Sequence, residues 1–230
     1  MVDFQTIEIA GIGSALCGMR HPLQSYNKSD SMYDSDTGDL IIGQQDYDLA
    51  KKLILAGDDS HCKFLRQIQV WVNITAPRFY WAEWDTYKIG TVANSQSTMH
   101  TLMKTGVDPK DVFIHWGLDS MVDEIMNKYV DDINYIIEIY HSTTDSETKH
   151  KYFETIKGML PEGYFQTRMV SLNYQTLRTM YRQRKTHRLS GWSTDFAFWV
   201  QTLPLSQWIT NNFEEVENNI ELNEKEGLTE

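Results

Sequence analysis

Three observations predict an α+β fold, a twisted sheet with a helical lobe. Residues 66–76 (RQIQVWVNITA) alternate apolar and polar side chains with period two, the mark of a half-buried strand. Residues 119–141 place Met121, Ile125, Val130, Ile133, Ile137 and Tyr140 at helical spacing. Four more helical patterns, at 46–56, 146–158, 173–186 and 192–202, outnumber the strands and call for a lobe of their own.

The elements follow in chain order. Residues 4–10 alternate enough for a short strand. Gly11, Gly13 and Gly18 come next, but their spacing is not GxGxxG, so they predict a loop turn and not a phosphate cradle. The Ser-, Asp- and Gly-rich stretch 25–45 reads as a long loop. In the helix over 46–56, Leu49 and Leu53 share a face, and Gly57 suits its end. The alternating strand carries Ile68, Val70, Val72 and Ile74 on one face and stops at Pro77. A helix should follow from 78, break between Gly90 and Ser95, and resume from Ser97. The helix over 119–141 has Asp119 or Ser120 as its cap. A further helix covers 146–158, ahead of Leu160-Pro161. Leu177 and Tyr181, four apart, mark the helix over 173–186. From Glu214 the chain is acidic and polar, with seven Glu and one Lys. The expected organisation is one domain over 1–210 and an acidic tail over 211–230.

Composition narrows the function. The formal net charge is −11, which argues against long nucleic acid as a partner. Yet Arg178, Arg182, Arg184, Lys185 and Arg188 crowd one segment, and such a cluster on an acidic chain suggests a small phosphorylated ligand. The two cysteines, Cys17 and Cys62, form no CxxC pair, so a reducing cytoplasm is expected. The seven histidines are scattered, which predicts no metal site. No apolar run reaches the length of a membrane span, and the first residues lack the flank of a secretory signal. Asn94 to Ser97 form a polar run opening a helix, where backbone N–H groups could meet a phosphate or Ser97 could simply cap. Phe79-Tyr80-Trp81 with Trp84 could stack a nucleobase.

Three stretches together resemble the flavin-dependent thymidylate synthases. In GDDSHCKFLRQIQVWVNI, Gly57 and His61 hold the places of a family Gly and a flavin-contacting His, while Arg66 and Gln67 replace an acidic residue and a second His. In TYKIGTVANSQSTMH, Asn94 and Ser97 align with an Asn and a Ser of the RHRxxSxNExSxRY signature. The RHR triplet falls on Tyr87-Lys88-Ile89, or on Thr86-Tyr87-Lys88 with a one-residue gap. The signature Glu becomes Ser95, and its final Arg-Tyr becomes Met99-His100. In the third stretch, 157–188, Lys157, Leu160-Pro161, Asn173 and Arg184 are in register with RxxLP, an Asn, and an Arg eleven residues later. A family Arg two residues after the Asn is Gln175.

The resemblance spans about 46–202. It implies a mainly antiparallel sheet, FAD as cofactor, a dUMP-type nucleotide as ligand and a homotetramer with sites shared between subunits. By resemblance, His61 and Asn173 lie by the flavin. Lys88, Asn94, Ser97, Lys157 and Arg184 hold the nucleotide, and Ser97 is the catalytic candidate. The family uses the flavin's hydride while methylating the uracil ring of dUMP. The lost triplet arginines and the late Arg each remove a charge-assisted contact of about 1.5–3 kcal/mol. Two readings therefore stand: a divergent flavin enzyme acting on a pyrimidine nucleotide, or a catalytically inactive protein that binds or sequesters one. A phage or bacterial source would suit either.

Overall fold

The computed structural model describes residues 2–213. The expected α+β class holds. A four-stranded sheet has the order β1-β4-β6-β5, where β1 is Asp3–Ala10, β4 Gln69–Pro77, β5 Thr91–Ser95 and β6 Phe165–Asn173. A two-residue antiparallel hairpin, β2 (Met32–Tyr33) with β3 (Leu40–Ile41), pairs Met32 with Ile41 and Tyr33 with Leu40. Ile68, Val70, Val72 and Ile74 are all buried, as their alternation predicts. The chain divides into two compact units. One takes residues 2–3, Ile74–Thr86 and Asn94–Met169; the other takes Phe4–Asn73, Tyr87–Ala93 and 170–213.

The first unit holds α3 (Arg78–Trp84), α4 (Thr98–Thr105), α5 (Ser120–Ser142) and α6 (Ser146–Met159). Asp119 caps α5 by accepting from the Met121 N–H at 2.8 Å, and Asp145 caps α6 through the Thr148 N–H at 2.8 Å. Val130, Ile133 and Ile137 bury against Ile156, Leu160 and Leu102. Each such side chain contributes roughly 1.5–3 kcal/mol. The predicted stripe fails at its start, since Met121 is 68% and Ile125 63% exposed. The cause is length. At about 1.5 Å per residue, the 14 residues of α6 reach back along only the C-terminal part of the 23-residue α5.

The second unit holds α1 (Ile12–Arg20), α2 (Gln44–Leu55), α7 (Tyr174–Arg184), α8 (Ala197–Thr202) and α9 (Gln207–Thr210). The predicted glycine turn is a helix start. Gly11 takes φ 92° and turns the chain, but Gly13 and Gly18 lie inside α1. A Cβ on Gly11 would collide with the Gln67 carbonyl oxygen. On α2 the buried positions are Asp46, Ala50 and Ile54, one residue beyond the predicted Leu49/Leu53 face. Asp46 is fully buried because Arg20 meets it, Nε at 2.8 Å and Nη2 at 2.6 Å. Its other oxygen accepts from Ser29 Oγ, the Ser31 N–H and the Asp30 N–H. This carboxylate thereby pins the 25–45 loop to α2.

Residues Gly191–Phe196 wind as a π-turn leading into α8. Asn211 and Phe213 belong to the packed body: the Asn211 oxygen accepts from Arg178, and the Phe213 ring lies edge-on to Tyr47. The rest of the expected acidic tail, 214–230, lies outside the described residues. Among the described residues no helix is long and apolar enough to cross a membrane.

Candidate functional site

In the second unit the site residues gather around α7. Asn173 closes β6 and caps α7, its Oδ1 accepting from the Thr176 N–H at 2.9 Å and Thr176 Oγ1 at 3.2 Å. The Tyr174 N–H donates to the Ile68 carbonyl at 3.1 Å, which fixes the strand-to-helix corner against β4. The loop 87–90 closes over this corner. The single proton of Thr176 Oγ1 is shared between Asn173 Oδ1 and the Ile89 carbonyl, the latter at 3.1 Å, and a Cβ on Gly90 (φ 74°) would stand 2.6 Å from Asn173 Nδ2. Only glycine permits that approach. Next to Asn173, Gln175 is 8% exposed and its Oε1 has no hydrogen-bond partner. A buried acceptor without a donor is costly unless something else supplies one.

The basic cluster does not form one cationic surface. Arg178 is buried and donates to the carbonyls of Trp208 (3.2 Å) and Ile54 (3.3 Å), so it staples α9 and α2 to α7. Arg182 pairs with Asp59 at 3.3 Å. Lys185 Nζ sits 5.8 Å from the Tyr181 ring centroid. Arg184 is placed differently. Its Nε donates to Tyr87 Oη at 2.8 Å, and its guanidinium carbon lies 5.5 Å from the Tyr87 ring and 4.9 Å from the Trp192 ring. Tyr87 Oη in turn donates to Gln183 Oε1 at 2.9 Å. Lys88 is exposed beside Tyr87, and His61 is exposed in a 3-10 segment, Asp59–Gln67. The following Cys62 is buried, which pushes its thiol pKa up.

In the first unit, Lys157 on α6 is half-buried, and its ammonium donates to Thr98 Oγ1 at the start of α4. Burial first, and then the charge of Arg78, hold its pKa below the usual lysine range. Arg78, absent from the sequence expectations, donates to the Leu160 carbonyl at 3.3 Å and approaches Glu162 at 3.7 Å. Ser97 occupies the N-cap position of α4, but its side chain makes no capping bond. Asn94 is exposed on β5, a strand where the sequence predicted a break. The base-stacking expectation for the aromatic run is corrected: Tyr80, Trp81 and Trp84 are buried and serve as core. Trp81 donates to the Gln166 carbonyl at 2.9 Å and carries Arg168 on its face at 4.2 Å. Arg168 is itself held by Asp85 at 2.8 Å.

The structure thus joins Lys157 to the Ser97–Thr98 corner in one unit. In the other it joins Asn173 to Gly90, and Arg184 to Tyr87. A half-open cavity of about 700 Å³ in the second unit is lined by Lys51, Leu55, Tyr181, Lys185 and residues 210–213, and includes none of the predicted site residues. Among the described residues no group of three or more His, Cys, Asp or Glu could hold a metal ion.

Comparison with known proteins gives three findings. The model of the thymidylate synthase complementing protein family matches residues 18–192. No curated protein sequence matches the chain. Two solved structures from Helicobacter pylori are similar in fold. Thymidylate synthase X with FAD and dUMP gives a TM-score of 0.63 at 16% identity, covering 94% of this chain and 98% of that one. The flavin-dependent thymidylate synthase complexed with FAD and dUMP gives 0.62 at 16% identity, covering 93% and 98%.

Proposed function

Because this chain belongs to the thymidylate synthase complementing protein family, we propose that it binds a dUMP-type pyrimidine nucleotide together with FAD. The observation that carries this is Arg184, a cation held in a fixed place by two rings and a phenol on an otherwise acidic chain. Its guanidinium supplies charge to the nucleotide's phosphate. Lys157 supplies a second charge as an ammonium, with point-charge and not bidentate recognition. Asn94, Ser97 and Lys88 complete the nucleotide candidates, and Ser97 remains the catalytic candidate.

The flavin fits the residues present. Gln175 Oε1 is a buried acceptor in need of a donor, and it stands two residues from Asn173. Asn173, Gln175 and the exposed His61 would hold the group. FAD, when bound, supplies hydride transfer. The protein's own residues bind and orient the nucleotide and place positive charge on its phosphate.

A second reading has its own observation. The place of the family's basic triplet is taken by Tyr87 and neighbours, leaving Lys88 as its single cation, and Lys88 is exposed. That favours nucleotide binding over rapid thymidylate formation. The absorbance spectrum of the purified protein separates the readings. Visible flavin absorbance supports the enzyme. A colourless protein whose melting temperature rises with dUMP supports the inactive binder. Arg184→Ala is expected to abolish the dUMP-induced rise while leaving the fold intact; an unchanged rise would sink the proposed nucleotide site. The protein is expected not to rescue a thymidine-requiring strain. The same reading has the chain act as a cytoplasmic homotetramer of phage or bacterial origin, which a sizing column checks against a chain mass of 26.8 kDa.

A further inference from the structure

We propose that Tyr87 is a positioning residue for the nucleotide phosphate, acting through Arg184. The inference rests on the reading of Arg184 as a phosphate ligand and adds the residue that aims it. A phenol has one proton and two lone pairs. Tyr87 gives its proton to Gln183 Oε1 at 2.9 Å, so a lone pair faces the Arg184 Nε–H at 2.8 Å. That bond fixes the rotation of the guanidinium about its own stem. The Tyr87 and Trp192 rings, with centroids 6.2 Å apart and planes inclined at 58°, each attract the cation. Bond and rings together leave Arg184 one orientation where a solvated arginine has many. In this segment the family signature carries cations; Tyr87 carries none, and its contribution is to order the cation that remains.

The experiment measures affinity for dUMP and for deoxyuridine, which lacks the phosphate, by titration calorimetry on the full chain. Tyr87→Phe keeps the ring and removes the acceptor. It is expected to weaken dUMP binding about 3- to 10-fold, the range of one hydrogen bond, with deoxyuridine affinity and the ligand-free melting temperature unchanged. Tyr87→Leu removes the ring as well and is expected to weaken dUMP further. In an Arg184→Lys background, which has no Nε–H fork to aim, Tyr87→Phe is expected to have no added effect. Several results overturn the inference. If Arg184→Ala leaves dUMP affinity intact, or the unaltered protein binds no dUMP, the reading of Arg184 fails and takes this one with it. If Arg184→Ala weakens dUMP but Tyr87→Phe does not, the role of Tyr87 is refuted and the phosphate reading stands. Equal losses for dUMP and deoxyuridine also refute it, because they mark a merely structural residue. If Tyr87→Leu fails to fold, Tyr87→Phe alone decides.

Discussion

Replacing Asp46 by Asn should destabilise the protein by about 3–5 kcal/mol, the usual cost of breaking a buried ion pair by removing one charge. The side chain is fully buried, and four hydrogen-bond donors and the Arg20 charge converge on it. Oδ1 accepts from Arg20 Nε, with Nη2 of the same guanidinium in ion-pair contact at 2.6 Å, and Oδ2 accepts from Ser29 Oγ and the N–H groups of Asp30 and Ser31. Asparagine is isosteric, but its amide must point an NH₂ either at the guanidinium or at two backbone N–H groups. Both orientations set donor against donor, and the Arg20 charge remains buried without a counter-charge. Urea unfolding at pH 7, followed by tryptophan fluorescence, reads the loss. With a slope of about 2–3 kcal/mol/M, the midpoint falls by at least about 1 M. The pH dependence gives a second test. Burial pushes the Asp46 carboxyl up, but the bonds from Ser31, Arg20 and Ser29 together outweigh it, and its pKa lies below the usual value. The unfolded carboxyl titrates near 3.9. The stabilisation is therefore complete above that value and is lost as pH falls through the lower folded pKa. The gap between Asp46→Asn and the unaltered protein should shrink in acid. A loss under about 1 kcal/mol at pH 7, or a gap independent of pH, would refute the reasoning. Replacing both partners, Arg20→Met with Asp46→Leu, should recover only the part of the loss owed to the stranded charge, because Ser29 Oγ and the Asp30 and Ser31 N–H groups still lose their acceptor.

Three further outcomes are expected. Gly11→Ala should lower the melting temperature by several degrees, because φ 92° is strained for alanine and its Cβ meets the Gln67 carbonyl. Lys157→Met should abolish most of the dUMP-induced stabilisation without destabilising the ligand-free protein. Its depressed pKa means that the folded state disfavours the ammonium. That penalty is present at neutral pH and vanishes as pH rises past the ordinary lysine pKa, so any gain in the variant should close in alkali. A thiol reagent should label the exposed Cys17 in the native protein and reach the buried Cys62 only after unfolding, as mass spectrometry would show.

Where one physical signal dominated, the sequence was readable. The period-two run at 68–74 and the helical spacing from Val130 to Ile137 both report a buried face, and both faces are buried. β6 (FQTRMVSLN) was missed because most of it is only half-buried, so no apolar alternation develops before Val170. β5 was missed for the same reason, being almost wholly exposed. α1 hid behind its glycines, whose helix-breaking tendency tertiary packing overrides. In the site, spacing singled out Asn173, which the structure puts at the cap of α7, and Arg184, which it puts beside Tyr87. It could not show that Arg178 and Arg182 are consumed by Ile54, Trp208 and Asp59, since those partners lie far off in the chain. Nor did a lone arginine after Pro77 signal Arg78, whose effect on Lys157 exists only once α3 and α6 have folded.

The π-turn at Gly191–Phe196 makes this stretch a length-sensitive joint. A π-turn carries one residue more than an α-turn over the same rise. On its N-terminal side Trp192 faces Arg184, and beyond its end Trp199 stacks on Phe4 at 4.7 Å. Deleting a single residue such as Thr194 would let the segment rewind as ordinary α-helix, a change the backbone itself tolerates. Rewinding without that deletion is what would turn Trp192 by about 100° relative to α8. The core anchored by Trp199 would survive while one wall around Arg184 swung away. Chain length at this point, and not side-chain identity, thus couples the packing of α8 to the aim of a single cation.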